Sequence, residues 1–254
     1  MNRIVPIILC LLIWAGGCAG TPSNTTVSES NDARYTLHYN QGLNRLTNNE
    51  PSYAMEEFLN AEKYRKTPDL YFSMGQSCYM LKRNELALSY FDKSLMLDKN
   101  FSSSNVGKGI VLRDMGRYDE ALAQFNTSLE NILFHEPEIA YYNIGLTYLA
   151  INDRENAVKY FKGAISLRPE FLTCYYQLAL VYVDLKNYEA AIGVLKTLLG
   201  YAPNSSEAHL LLGKAYLKLG RSTAAELEFR EVIRLAPESE SGREAKTLLT
   251  GGAN

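Results

Sequence analysis

A small residue and an alanine return together through this chain at a nearly fixed step. Glycine or alanine stands at Gly42, Gly75, Gly109, Gly145, Ala179 and Gly213, and an alanine follows twelve residues later at Ala54, Ala87, Ala121, Ala157, Ala191 and Ala225. The steps between units are 33, 34, 36, 34 and 34 residues. A period near 34 residues belongs to stacked helix–turn–helix units, each too small to bury its apolar face without a neighbour. The spacing therefore predicts an all-α solenoid and points away from an enzyme.

Each unit needs two helices that approach closely, and the small residues allow that approach. Four residues beyond each alanine comes a large apolar residue on the same helix face: Phe58, Phe91, Phe125, Phe161, Leu195 and Phe229. Leu112, Tyr148, Tyr182 and Tyr216 play the same part three residues after the first-helix glycine or alanine. Pro169, Pro203 and Pro237 close three of the second helices, because proline cannot extend one.

This combination of small residue, alanine, aromatic and closing proline resembles the tetratricopeptide repeat. The copy from Ser206 to Ser239 is the clearest, with Leu212-Gly213, Tyr216, Ala225, Phe229 and Pro237. The first copy departs most, carrying Arg45 where tyrosine is usual and Lys66 where proline is usual. Six units over 35–239 are expected to form a right-handed solenoid. Residues 240–254, with Ala245, Leu248 and Leu249 at helical spacing, are expected to form a capping helix and tail. The third unit is two residues long, with its surplus near Asn131 to Pro137. Leu133 and Phe134 there either lengthen a helix and pack beneath it, or form an exposed contact.

Residues 1–17 read as an export leader. Arg3 gives a positive start, and Ile4 to Trp14 form an apolar run of eleven residues, too short to span a bilayer. Ala15, Gly16 and Gly17 are small, and Cys18 follows at once. This resembles a bacterial lipobox, although Ala15 stands where leucine is usual. The resemblance implies that Cys18 is the lipidated first residue of the mature chain, and Ala19 after it favours the outer membrane. Several acyl chains would anchor it stably. Residues 18–34 are poor in apolar side chains and read as a lipidated cysteine followed by a flexible tether. The part from Thr21 to Arg34 would reach roughly 20 Å.

Charge and reactive residues exclude several functions. The chain has 26 basic and 28 acidic side chains, and loss of the leader removes only Arg3 from that balance. No basic block exists, so nucleic acid is not implied. His38, His135 and His209 lie in units one, three and six, too far apart for a metal site. Gly107-Lys108-Gly109 lacks the spacing and the Ser/Thr of a phosphate loop. Cys78 and Cys174 are three units apart and are expected as free thiols. No catalytic set and no cofactor is implied.

By resemblance to the family, the first helices line a concave groove. Its candidate protein-binding residues are Tyr39, Phe72, Tyr142, Leu146, Leu149, Tyr176, Leu180, Val183 and Leu210. Tyr142, Leu146, Leu149, Tyr176, Leu180 and Val183 form the densest patch. A contiguous apolar stripe suits an amphipathic helix or an extended apolar peptide. The stripe lacks the lysines and asparagines of a carboxylate clamp.

Lipobox, polar segment and six units together resemble the PilF, PilW and Tgl group of type IV pilus lipoproteins. The stretch from Leu133 through Glu138 to Tyr142-Asn143-Ile144-Gly145-Leu146 carries the same longer connector. That resemblance implies a pilotin, held at the outer membrane and facing the periplasm, with a secretin subunit as partner. Other envelope roles for such a lipoprotein are peptidoglycan or outer-membrane assembly, and export of protein or exopolysaccharide.

Overall fold

The structure, a computed structural model, describes residues 24–251, and the expected leader and Cys18 lie outside them. Within those residues the chain forms thirteen α-helices. The first helices of the six units are α1 (Asn24–Thr47), α3 (Pro68–Met80), α5 (Ser102–Asp114), α7 (Pro137–Ala150), α9 (Leu172–Asp184) and α11 (Ser206–Lys218). The second helices are α2 (Pro51–Glu62), α4 (Asn84–Leu97), α6 (Tyr118–Glu130), α8 (Arg154–Leu167), α10 (Tyr188–Tyr201) and α12 (Ser222–Leu235). Helix α13 (Glu240–Gly251) follows. Each first helix packs on its own second helix, and each second helix packs on the next first helix. The result is a solenoid of consecutive pairs.

The sequence period has a direct steric cause. A Cβ built on Gly109 would meet Phe125 Cε1 at 2.5 Å, and one on Gly145 would meet Phe161 Cε1 at 2.7 Å. Gly42, Gly75 and Gly213 face Phe58, Phe91 and Phe229 in the same way. Each ring thus lies flat on bare backbone of the partner helix. The fifth unit swaps both members: Ala179 carries the extra methyl and Leu195 replaces the ring, and both are fully buried. Volume is conserved across the pair, which cores tolerate well.

The turn inside every unit is equally regular. Asn49, Lys82, Gly116, Asn152, Lys186 and Gly220 all have positive φ, between 56° and 77°. The next residue's amide then reaches back five residues, as in Arg83 N–H to Cys78 O at 2.8 Å and Asn187 N–H to Tyr182 O at 2.8 Å. This is the Schellman closure of a helix C-terminus. Glycine at Gly116 and Gly220 adopts that backbone without the Cβ penalty. Lys82 and Lys186 bear it.

Two readings of the sequence need correction. Helix α1 starts at Asn24, so Asn24 to Arg34, taken as tether, is helical. Extending an existing helix is far cheaper than nucleating one. Contacts with the turn after α2 also hold it: Asp32 pairs with Arg65 at 3.3 Å, and Arg34 lies 5.8 Å from the Tyr64 ring centre. The surplus in unit three does not lengthen α6, which stops at Glu130. Residues 131–136 form an irregular loop pinned to the preceding connector: Asn131 donates to Asn100 O at 2.8 Å and Ser102 Oγ at 3.0 Å. Ile132 and Leu133 stand out at 95% and 73% exposure, while Phe134 turns inward.

Helix α13 lies against α11 and α12. Ala245 is fully buried there, and Leu248 and Leu249 pack on the same cluster. The apolar side of the last unit is thereby covered.

Candidate functional site

Position within the unit decides which side chains reach the concave face. Of the nine candidates, Tyr39, Phe72, Tyr142, Leu146, Leu149, Tyr176, Leu180 and Val183 are partly exposed along α1, α3, α7 and α9. Leu210 is not a groove residue. It is 8% exposed and belongs to the cluster of α9 to α12, where Tyr176, Leu180 and Val183 pack on the buried core.

The patch that sequence made densest is therefore partly self-filled. Tyr142 tilts against Phe161 at 5.7 Å and Phe171 at 5.0 Å between ring centres. Burial raises the hydroxyl pKa of both Tyr142 and Tyr176, so each stays neutral near physiological pH.

The opposite half holds a cavity of about 570 Å³. Phe72, Val106, Ile110, Phe134 and Ile139 supply most of its apolar wall, and the Phe91 ring forms part of its floor. Gly107 lines it as well; a Cβ there would meet Phe91 Cζ at 2.7 Å. With no side chain at Gly107, the Phe91 ring seats between Gly75 and Gly107 and is only 1% exposed. Sequence reasoning dismissed Gly107 as a failed phosphate loop and omitted Ile139. Its only available signal was glycine inside a helix, which costs about 1 kcal/mol against alanine and so calls for a packing reason.

A polar recess of about 670 Å³ adjoins this cavity and shares Tyr79 with it. Its Arg113 and Asp114 satisfy one another. Arg113 donates to Asn143 Oδ1 at 2.8 Å and to Asp114 Oδ1 at 3.0 Å, and Tyr79 donates to Asp114 Oδ2 at 2.5 Å. Burial, then donation to Asp114, pushes the Tyr79 hydroxyl up to about 12. These bonds tie α3, α5 and α7 into one rigid floor.

The other reactive side chains serve packing. His38 Nδ1 lies 2.7 Å from Glu57, and His209 Nδ1 lies 2.6 Å from Glu228, the same contact in units one and six. Cys78 and Cys174 are free and buried, and burial pushes the Cys174 thiol up to about 12. Among the described residues no cluster of His, Cys, Asp and Glu could hold a metal ion. No helix there is long and apolar enough to cross a membrane.

A helical-pair solenoid with an apolar groove on its first helices is a scaffold built to hold other polypeptides. Models described as tetratricopeptide repeat match residues 68–101, 101–170 and 176–240. The chain belongs to the tetratricopeptide-repeat proteins, a class of protein-interaction scaffolds. No curated protein matches this sequence. Among solved structures, PilW, described as a widely conserved type IV pilus biogenesis factor, is similar in fold. It has a TM-score of 0.74 at 20% identity, over 84% of this chain and 98% of that one. PilF of Pseudomonas aeruginosa is similar at a TM-score of 0.72 and 18% identity, over 86% of this chain and 99% of that one. YrrB, described as having an unusual peptide-binding site, gives a TM-score of 0.58 at 20% identity, over 75% of this chain and 97% of that one.

Proposed function

We propose that this protein is a non-catalytic, lipid-anchored scaffold of type IV pilus biogenesis, a pilotin that brings a secretin subunit to the outer membrane. The carrying observation is the full-length fit to two pilus proteins, which extends over 98% and 99% of their chains. Other repeat solenoids fit less closely, at TM-scores of 0.65 for Cut9–Hcn1, over 87% of this chain, and 0.58 for YrrB. The apolar groove supports the same reading, since it suits a partner segment that would otherwise aggregate in the periplasm. Lipidation at Cys18 would hold the solenoid at the inner leaflet of the outer membrane. Tethering then raises the local concentration of captured subunits, which favours ring formation.

Deletion of the gene tests this. Heat-resistant secretin multimers are expected to vanish from envelope extracts, leaving monomers, and pili are expected to be lost. Cys18→Ala in the full chain is expected to shift the protein out of the membrane fraction. Normal multimers in the deletion strain would overturn the assignment. A cell-shape or permeability defect with intact pili would replace it with an envelope-maintenance role.

A further inference from the structure

The cavity between α3, α5 and α7 has a shape and a charge that specify its occupant more narrowly than the groove as a whole. We infer that it is the anchor site for a partner segment presenting large apolar side chains beside a lysine or arginine. This inference rests on the scaffold reading above and adds where the partner is gripped and what chemistry it carries.

Three observations lead there. The cavity, at about 570 Å³, falls in the roughly 300–1,000 Å³ range of binding pockets. Gly107 adds no side chain to its lining, so the partly exposed Phe72, Ile110, Phe134 and Ile139 are left to contact an aromatic or aliphatic partner. The second observation is the surplus loop. It contributes Phe134 to the wall and leaves Ile132 and Leu133 exposed beside it, which carries the apolar surface out onto the rim.

The third observation is charge. Glu136 lines the cavity, and no cation lies in ion-pair range of it among the described residues. In the neighbouring recess Arg113 is held by Asp114 and Asn143, and Lys82 lies 5.6 Å from the Tyr79 ring centre. Among the described residues Glu136 is the one charged side chain on the lining of the cavity itself, which is thereby left with a negative charge. Gln76, exposed on the lining, has an amide suited to a peptide backbone. An exposed ion pair adds little affinity, so Glu136 selects and orients while the apolar wall binds.

The test uses the mature full-length protein and two labelled peptides. Both carry two phenylalanines on one helical face; one has a flanking lysine, its twin a glutamate. Fluorescence anisotropy is expected to show the lysine peptide binding roughly threefold tighter. Glu136→Lys, on an exposed loop, is expected to invert that preference. Ser103→Phe, which fills the cavity from a partly exposed lining position, is expected to weaken both peptides more than about tenfold. Leu217→Arg, at an exposed position in the other half, is expected to change neither. The site is overturned if Ser103→Phe binds normally, if Leu217→Arg alone abolishes binding, or if neither peptide binds. It is also overturned if sedimentation shows this face pairing two copies of the chain. None of those outcomes touches the dependence of secretin multimers on the gene, so the wider function stands or falls separately.

Discussion

The two ends of the solenoid share one scaffold and fill it differently. At the same position in the unit, α4 and α6 place Ser94 and Ser128 where α10 and α12 place Leu198 and Val232, and all four are buried. On the first helices, Ser73 and Gly107 in α3 and α5 correspond to Gln177 and Leu211 in α9 and α11. The N-terminal half is built with hydroxyls and a missing side chain, and its first helices α1, α3, α5 and α7 come close to one another in succession. Its core carries hydrogen bonds: Ser94 donates to Pro68 O at 2.9 Å within unit two, and Ser104 of the next unit donates to Ser94 at 2.7 Å. The C-terminal half is built with aliphatic bulk, and the cavity beside α9 and α11 is smaller, about 380 Å³, with Leu211 on its wall. Gly107 and Leu211 stand at equivalent places and leave cavities of different size. Repeat identity therefore fixes the frame and leaves recognition free to vary.

Removing one residue from each half sharpens the contrast. Leu198→Ala is expected to cost about 2–5 kcal/mol, the usual loss for a buried leucine. Ser94→Ala is expected to cost about 1–2 kcal/mol, because Pro68 O and Ser104 each lose a partner. Urea unfolding of both variants gives the comparison; equal losses would erase the distinction between the two cores.

The glycine–phenylalanine contact offers a second test, of what the halves share. Gly109→Ala should push against Phe125 and cost about 1–3 kcal/mol. Adding Phe125→Leu reproduces the natural Ala179–Leu195 pair and should recover most of that loss. A double mutant no better than the single would show that the two positions are not coupled.

Alkaline titration probes both ends at once. Tyr71 and Tyr79 in the N-terminal half, and Cys174 in the C-terminal half, are pushed up to about 12. Burial leads in each case. For all three the folded pKa lies above the unfolded one, so their stabilisation is complete below the unfolded values and is lost as pH rises toward 12. The melting temperature should hold to about pH 9 and then fall. Asp114→Asn should bring the Tyr79 hydroxyl down, read by tyrosinate absorbance, without moving Cys174 reactivity toward a thiol reagent.

The smallest expected effect lies in the turns. Lys82→Gly and Lys186→Gly should each gain up to about 1 kcal/mol, since glycine adopts positive φ freely. A gain at only one of them would mean that the halves differ in turn strain as well as in core filling.

Most of the frame was legible in the sequence for a simple physical reason. Gly75 and Phe91, or Ala179 and Leu195, meet within one unit, and the same meeting recurs six times. A local rule repeated at a fixed period shows through without coordinates, as do the prolines that close α8, α10 and α12. The groove is a different kind of object. Its cavity joins Leu46, Phe72, Ile110 and Ile139, drawn from four helices, to Phe134 in a loop. Whether such side chains enclose space or fill it depends on how the helices cross and on what lies beneath them. That is why Leu210, alike in sequence to its neighbours along the stripe, is buried, why Gly107 matters, and why α1 runs back to Asn24. Periodicity determined the interior; only packing between units decided which surface was left open.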